Sequence, residues 1–331
     1  MEKAKNKYHF IIFGSSDWMK NSIYDILCRE DVEYYDFILK RTFIEKVFIS
    51  KIIPLFLKKI IFILFKKRLF PVKIKSFEQK NIYIFYERNK YSVNHVVLSW
   101  IKKKDPSAYF VFILTNIMSD SWKINHKNTY EYLLNNEIYN LVITFDANDA
   151  KKYGFTFFNF VNSPYKYEVK KEQEFDMFFC GINKGRLQKL CSLGDRLSSM
   201  GFTYQFIVID SDMEEKNDKG IKILNKIVPN ELVLNMMCNC KCVVDLSVDK
   251  TFLGLSLRVS EALANSKLLI TDNMHIYSDP LFNENQMIVF ERPEDITKQE
   301  ILGKMDKTKY SKPSVVSPEL LLDLIIKSID K

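Results

Sequence analysis

The chain has 331 residues, of which 47% are hydrophobic and 27% charged, and its formal net charge is +8. This composition is that of a folded globular protein, and it excludes an intrinsically disordered chain. The length is sufficient for two domains that each bury a core of their own.

The positive charge is concentrated in one apolar segment. Residues 39–70 contain nine basic residues and one acidic residue, so this segment accounts for the whole net charge. A nucleic-acid-binding protein usually spreads its charge along a groove or stripe. The pattern therefore argues against nucleic acid as a partner.

The strands and helices predicted for the first half alternate along the sequence. Continuous apolar runs predict strands at residues 8–13, 81–86, 109–115 and 141–145. Helices are predicted at residues 20–29, 93–103 and 130–136, and a further helix begins after Asp146. Such strands separated by helices indicate a parallel sheet that is covered on both faces. We therefore predict a Rossmann-like domain over residues 1–165.

A polar stretch at residues 162–174 reads as a linker, and the alternation resumes after it. Strands are predicted at residues 176–180, 204–209, 242–246, 267–271 and 287–290. Helices are predicted at residues 186–200, 229–238, 257–264 and 318–329. We therefore predict a second Rossmann-like domain over residues 166–310, followed by a C-terminal helix within residues 311–331.

The first candidate site is the loop in FFCGINKGR, residues 178–186. A glycine turn between a strand and a helix brings free main-chain amides to the helix start, where a phosphate is favoured. Gly181 would form the turn, and Lys184 and Arg186 would add positive charge. The alternative is an ordinary loop with solvated basic side chains.

The second candidate site lies in TFLGLSLRVSEALANSKLLITDN, residues 251–273. Gly254 begins a loop that leads into a helix at Ser256 and Leu257, where free amides could contact a diphosphate. Arg258 and Glu261 are three residues apart and therefore share one helix face. The alternative is a surface ion pair of little energetic value.

This stretch resembles the nucleotide-sugar signature of GT-B glycosyltransferases. It is most similar to bacterial capsule and O-antigen glycosyltransferases with a pattern like GLTMRTIEALGAGKKLITTN. The resemblance extends to ITFDANDAKKYGF (residues 143–155) and to the loop at 178–186, and it covers residues 80–300. It implies a GT-B-like α/β fold of two Rossmann-like domains with a donor cleft between them.

The resemblance also implies an activity. The expected enzyme is a hexosyltransferase that moves a sugar from a nucleoside diphosphate sugar, such as a UDP-sugar, to a lipid-linked glycan acceptor in capsule or lipopolysaccharide biosynthesis. Glu261 would bind the ribose hydroxyls, while Arg258 and the amides near Ser256 and Leu257 would face the diphosphate. GT-B enzymes are typically metal-independent, so no cofactor is expected. Leu253 stands where retaining enzymes commonly carry a glutamate, which favours inversion.

An inverting enzyme needs a general base to deprotonate the acceptor hydroxyl. The first domain offers Asp17 after its first predicted strand and Glu87 after its second. Ligands of open α/β sheets bind at such strand ends. Asp17 is preferred because the glycine-serine turn before it would bring it to the cleft. Other carboxylates and imidazoles near strand ends are alternatives, namely Asp120, His95 and His126.

Two patterns could suggest a metal. Cys238, Cys240 and Cys242 lack the second ligand pair of a structural zinc site. Asp210 and Asp212 form a lone match to the DxD pattern of metal-dependent GT-A enzymes. We expect no metal site.

The basic segment at residues 39–70 combines Ile, Leu and Phe with lysines, which suits a helix lying on an anionic membrane. The alternative is a core helix with snorkelling lysines. Its longest uncharged runs are six residues, whereas a membrane span needs about 20. The short apolar run near the N-terminus does not predict a signal peptide. The six cysteines show no disulfide framework. We expect a cytoplasmic protein, peripheral on the inner face of the membrane.

Two other functions remain open at this point. One is a non-catalytic scaffold of the same fold, which would bind the donor without transferring sugar. The other is a nucleic-acid-binding α/β protein, whose binding would depend steeply on salt.

Overall fold

The computed structural model describes residues 7–14, 16–36, 50, 53–70, 79–87, 89, 92, 94–119, 123–124, 127–135, 138–165, 175–248, 254–305 and 309–331. Internal contacts divide the chain into a first unit, Met1–Phe158 with Leu321–Lys331, and a second unit, Asn159–Leu320. Each unit has its own sheet and its own hydrophobic core.

The first unit contains a parallel sheet with the strand order β2-β1-β3-β4-β5-β6. Its strands are β1 (Tyr8–Gly14), β2 (Val32–Asp36), β3 (Lys80–Tyr86), β4 (Tyr109–Ile113), β5 (Leu141–Thr144) and β6 (Thr156–Phe157). Its helices are α1 (Asp17–Ser22), α2 (Leu55–Leu69), α3 (His95–Lys104), α4 (Lys127–Asn135) and α5 (Ala147–Tyr153). Every residue of β1 is buried, as expected for a sheet covered on both faces.

Aromatic rings stack across the centre of this sheet. Phe13 of β1 and Phe85 of β3 are partners in register, and their ring centroids lie 4.4 Å apart. Phe110 of β4 continues the row at 6.4 Å from Phe85. Helices α2 and α3 meet over this core, where Phe62 contacts the Trp100 ring edge-on at 5.6 Å. These large rings supply much of the apolar area that the first unit buries.

The second unit has a sheet with the order β13-β12-β11-β7-β8-β10-β9, in which β9 alone of these strands pairs antiparallel. The strands are β7 (Met177–Ile182), β8 (Tyr204–Ile209), β9 (Lys216–Asp218), β10 (Ile221–Leu224), β11 (Cys242–Asp245), β12 (Leu268–Thr271) and β13 (Met287–Val289). The helices are α6 (Leu187–Ser199), α7 (Asn230–Cys238), α8 (Leu257–Ala264) and α9 (Lys298–Lys304). Two Rossmann-like α/β units are therefore present, as the sequence predicted.

The last helix, α10 (Pro318–Ile329), ends against the first unit. Asp330 accepts hydrogen bonds from the Tyr8 hydroxyl at 2.6 Å and from the Lys7 ammonium at 2.9 Å. Ser328 and Tyr109 lie within hydrogen-bond distance at 3.2 Å. The end of the chain is thereby fastened to β1 and β4.

Short elements differ most from the sequence predictions. The helix expected at residues 20–29 is divided into α1 and a 3-10 turn, Tyr24–Cys28. Strands β2, β6, β9 and β10 were not predicted, and each has five residues or fewer. Such short strands, in which polar and apolar residues mix, carry no long apolar run.

Candidate functional site

The two candidate loops of the second unit lie at the same edge of its sheet. Strand β7 ends at Ile182 and leads through a loop into α6, whereas β11 ends at Asp245 and precedes α8. Because β7 and β11 are neighbouring parallel strands, their carboxyl ends emerge side by side. The start of α6 and the start of α8 therefore face the same edge, where ligands of α/β sheets bind.

Ser256 fixes the start of α8. Its hydroxyl oxygen accepts from the Arg258 main-chain amide at 3.1 Å and donates to Asp245 at 2.7 Å. Asp245 is 2% exposed and ends β11. Leu257 is the first residue of the helix, and the Gly254 carbonyl accepts from Asn273 at 3.4 Å. The start of α8 is thus held by groups at the ends of two strands.

Arg258 joins α8 to the end of β7. Its Nη2 and Nε donate to the Cys180 carbonyl at 2.8 and 3.2 Å, and its Nη1 lies 3.4 Å from Asp245. The guanidinium also lies over the Phe179 ring, 4.7 Å from the centroid. The two candidate segments are therefore in direct contact.

Gly181 makes this contact possible. A Cβ atom at this position would lie 2.2 Å from Arg258 Nη2, well inside contact distance. A glycine was expected here for the turn of the chain. The structure shows that the glycine also makes room for a guanidinium.

Arg186 is directed into the protein. It is 6% exposed, and its guanidinium donates to the carbonyls of Asn183 and Leu246, each at 3.2 Å, and to that of Ile182. Burial, and then repulsion by Arg258, lowers its pKa to about 10. The alternative of a solvated Arg186 is thus wrong. The geometry also differs from an open phosphate clamp, because the guanidinium donates to two carbonyls of its own loop and to one that follows β11.

Lys184 and Gly185 turn the loop towards α6. Both have positive φ, 44° for Lys184 and 81° for Gly185, so the backbone passes through the left-handed region twice. The Lys184 side chain is exposed. Asn183 accepts from the Leu187 amide at 2.9 Å and caps the helix start. The loop therefore has one exposed cation beside the buried Arg186.

Glu261 lies on α8, one turn beyond Arg258, and is 5% exposed. The Tyr165 hydroxyl donates to its Oε1 at 2.8 Å. Burial, and then the charge of Glu261, raises the pKa of Tyr165 well above its usual value. This pair was not predicted from the sequence, because its members are far apart in the chain and no motif joins them.

The charged groups around this edge could bind an anion. Arg186 and Arg258 both lie against the Phe179 ring, and Asp245 is the carboxylate next to Arg258. Lys189 of α6 lies 2.7 Å from Asp272. Two guanidiniums close to two helix starts form a positively charged edge. Asp245 was not predicted as a site residue, although a carboxylate at the end of an apolar strand is a pattern that could have indicated it.

The two candidate bases of the first unit differ in their surroundings. Asp17 is exposed and begins α1, whose cap is Ser16. Glu87 is 1% exposed and accepts from the Thr115 amide at 2.9 Å, the Thr115 hydroxyl at 3.1 Å and Asn116 at 3.0 Å. Glu87 therefore holds the turn after β4. His95 is exposed, whereas Asp120 and His126 lie outside the described residues.

The cysteine and aspartate patterns considered as metal ligands are engaged differently in the structure. Cys238, Cys240 and Cys242 are buried, and Asp210 accepts from Asn183 at 2.7 Å and from the Asp212 amide at 3.0 Å. Within the described ranges, no group of three or more His, Cys, Asp or Glu side chains has the arrangement of a metal site.

Helix α2 carries an exposed apolar surface. Its most exposed apolar side chains are Ile63 at 76%, Leu64 at 70% and Phe56 at 62%. Residues 39–49 and 51–52 of the predicted membrane-facing segment lie outside the described residues. No helix in the part of the chain that the structure describes has the length and apolar character to cross a membrane.

Comparisons with known proteins give a likeness of fold. No protein-family model matches the chain, and no curated protein matches its sequence. An α,α-trehalose-phosphate synthase (UDP-forming) from Burkholderia vietnamiensis superposes with a TM-score of 0.54 at 9% identity, over 98% of this chain and 99% of that one. A protein described as a UDP-N-acetylglucosamine 2-epimerase from Listeria monocytogenes gives 0.52 at 9% identity, over 98% and 95%. The chain therefore has the α/β fold of the GT-B kind.

Proposed function

We propose that the protein is a glycosyltransferase that moves a hexosyl group from a nucleoside diphosphate sugar to a glycan acceptor. The observation that carries this proposal is the contact between Arg258 of α8 and the Cys180 carbonyl at the end of β7. That contact sets two helix starts, two arginines and Glu261 around one edge of a parallel sheet. A diphosphate and a ribose are the two parts of a ligand that such an edge fits.

The diphosphate would lie against the starts of α6 and α8. Main-chain amides at a helix start are unpaired within the helix and attract an anion, and Lys184 would add an exposed cation. Arg186 and Arg258 contribute positive potential from behind the loop because their donors already bind carbonyls. Glu261 would then receive the ribose hydroxyls. In support, one protein of this fold is named as UDP-forming and another after a UDP-sugar.

In the proposed reaction the acceptor hydroxyl oxygen attacks the anomeric carbon of the sugar. The bond from that carbon to the diphosphate oxygen breaks, and the diphosphate leaves with the electron pair. Asp17 takes the hydroxyl proton, which its exposure permits. Glu87 is the less suited base because its carboxylate holds the turn after β4. Positive potential at the helix starts stabilises the leaving diphosphate without a metal. The configuration at the anomeric carbon of the sugar is inverted.

The acceptor is proposed to be a lipid-linked glycan of surface polysaccharide synthesis, met at the inner face of the membrane. Helix α2 supports this part of the proposal. Ile63 and Leu64 are more than two-thirds exposed, and Lys59 is exposed beside them. Apolar side chains with a cationic rim fit the boundary between anionic headgroups and acyl chains.

Two measurements test the function. Calorimetry with UDP, GDP, ADP and CDP should give binding of at least one nucleoside diphosphate, which would also raise the melting temperature. The matching nucleotide sugars are then supplied with glycan acceptors, with and without EDTA. Acceptor-dependent release of the nucleoside diphosphate that survives EDTA supports the proposal.

Other results would point to the alternatives. Diphosphate binding with no transfer to any acceptor would indicate a scaffold, and a sugar converted to its epimer would indicate an epimerase. Binding of DNA or RNA that falls steeply with salt, without nucleotide binding, would indicate a nucleic-acid-binding protein. Any of these results would refute the proposed glycosyltransferase activity.

A further inference from the structure

Tyr165, which lies in the stretch predicted as a linker, is fastened to α8. The Tyr165 amide donates to the Asn265 side chain at 2.8 Å, and the Tyr165 hydroxyl donates to Glu261 Oε1 at 2.8 Å. Asn265 in turn donates to the Glu261 carbonyl at 2.8 Å. Glu261 and Asn265 are four residues apart and share one helix face. Tyr165 is therefore bound to that face through both its main chain and its side chain.

The direction of the tyrosine hydrogen bond is fixed by its surroundings. An ionised carboxylate has no hydrogen and can only accept, whereas the Tyr165 hydroxyl has a single hydrogen to donate. That hydrogen lies on the 2.8 Å bond to Glu261 Oε1. The tyrosine therefore acts as a donor to Glu261.

Burial makes this contact consequential for the carboxylate. Glu261 is 5% exposed, so little water is available to support its charge. A buried carboxylate depends on the hydrogen bonds that it receives, and those bonds also decide which way it points. A free glutamate side chain has several rotamers, and binding a ribose in only one of them would reduce the affinity. A fixed donor removes that cost.

We propose that Tyr165 is a positioning residue that holds the Glu261 carboxylate in the orientation required by the ribose of the nucleotide donor. This inference rests on the proposed function of the same site. It adds a determinant of specificity. The preference for ribose over deoxyribose then depends on a residue outside the stretch at 251–273 that resembles the nucleotide-sugar signature. Tyr165 contacts the carboxylate and not the reacting atoms, so it acts through Glu261.

The test compares ribose with deoxyribose ligands in the full chain. UDP, GDP and ADP are each measured against their 2′-deoxy forms by calorimetry. For the nucleotide that binds, the parent should prefer the ribose form by on the order of 10-fold, the value of one hydrogen bond to a charged group. Tyr165→Phe should reduce this preference at least about 3-fold, because the carboxylate is no longer held. Asn265→Ala, which removes the main-chain attachment, should shift the preference in the same direction.

A matched control separates positioning from stability. Tyr310 also donates its hydroxyl, to the Lys304 carbonyl at 2.8 Å, in the same unit. Tyr310→Phe removes a comparable hydrogen bond and should leave the ribose preference unchanged. If Tyr165→Phe weakens the ribose and deoxyribose ligands equally, its role is structural and the inference is wrong.

A double-mutant cycle tests whether the effect passes through Glu261. In the Glu261→Gln background, Tyr165→Phe should produce no further change in preference. A further drop would mean that Tyr165 reads the ribose directly, which overturns a positioning role. A parent that binds the diphosphate without ribose preference overturns the inference while the donor site stands. A parent that binds no nucleotide refutes the proposed function itself.

Discussion

The ammonium of Lys267 donates to the carbonyl of Cys238, the last residue of α7, at 2.7 Å, and a second bond of 2.6 Å reaches the carbonyl of Cys240. Lys267 is 4% exposed and precedes β12. The last carbonyls of a helix lack partners within the helix and favour a cation. Lys267 therefore caps the C-terminal end of α7, although it lies in a later segment of the chain.

Replacing Lys267 should destabilise the second unit. Lys267→Met keeps the length and apolar stem but leaves both carbonyls without this donor, at a cost of about 1–3 kcal/mol. The midpoint of urea unfolding should fall accordingly. Lys226→Met, at an exposed position, is the control and should have little effect. Equal midpoints for the two variants would show that the buried bonds contribute nothing.

A methyl group at Gly181 should disturb the candidate site. In Gly181→Ala the new Cβ would overlap Arg258 Nη2, so the guanidinium must shift from its position at the Cys180 carbonyl. We expect a loss of about 1–3 kcal/mol in stability and weaker nucleoside diphosphate binding. The measurements are thermal unfolding and calorimetry.

Gly303 provides the contrast for that experiment. It lies in α9, and apart from its chain neighbours and the backbone of its own helix no atom lies within 4 Å of its ideal Cβ position. Gly303→Ala should therefore leave binding unchanged and stabilise the helix by up to about 1 kcal/mol. Full nucleotide affinity in Gly181→Ala would contradict a role for the Arg258 contact in the site.

Glu261→Gln and Arg258→Ala should separate ribose binding from diphosphate binding. Glu261→Gln removes the charge that strengthens the bonds to ribose and should cost about 1–3 kcal/mol, or roughly 5- to 150-fold in affinity, for both UDP and uridine. Arg258→Ala should weaken UDP more than uridine because only UDP carries the diphosphate. Calorimetry on both variants with both ligands is the measurement. Unchanged uridine binding by Glu261→Gln would show that Glu261 does not bind the ribose.

Arg258→Ala should in addition be less stable. It leaves Asp245, which is 2% exposed, without its guanidinium, and breaking such a pair costs about 3 kcal/mol when both partners are buried. The Arg258 side chain is 17% exposed and Asp245 keeps Ser256 as a donor, so the loss should be smaller. Binding must therefore be compared well below the melting temperature of this variant.

Cys180 should react slowly with thiol reagents. Burial raises the pKa of its thiol from 9.0 to about 11. At a pH below both pKa values, each unit by which the pKa is raised lowers the thiolate fraction tenfold. At pH 8 the thiolate fraction of Cys180 is therefore on the order of 100-fold lower than that of an ordinary thiol. The rate should rise as pH increases towards 11. Iodoacetamide labelling followed by mass spectrometry should modify the exposed Cys28 first, and equal rates would contradict the burial of Cys180.

Charge reversal on α2 should weaken membrane binding. Lys58→Glu with Lys59→Glu removes two cations that would each contribute about 1 kcal/mol near an anionic surface, so partition should fall at least about 30-fold. Vesicle sedimentation with anionic lipid measures the effect. Lys226→Glu with Lys298→Glu makes the same change in net charge in the second unit and is the control. Unchanged sedimentation of the α2 variant would mean that its lysines are only solvated.

The sequence predicted the long buried strands because each is an apolar run, and it predicted the two site loops because each carries a glycine before a helix. It could not show where Arg186 and Arg258 point, since their acceptors are carbonyls of other segments brought close by folding. The hydrogen bond between Tyr165 and Glu261 spans 96 positions and leaves no local pattern. Strand β2 was missed because its five residues, VEYYD, form neither an apolar run nor a regular alternation of polar and apolar residues.

The bonds from Tyr8 and Lys7 to Asp330 make the order of synthesis relevant to folding. The ribosome releases β1 long before Asp330, to which Tyr8 of β1 is bonded in the folded protein. The second unit is therefore complete in sequence while the first still lacks the helix that closes it. A fragment cut after Phe158 would contain the whole parallel sheet of the first unit without that closure. Expressed alone, it would expose apolar surface that the intact chain covers.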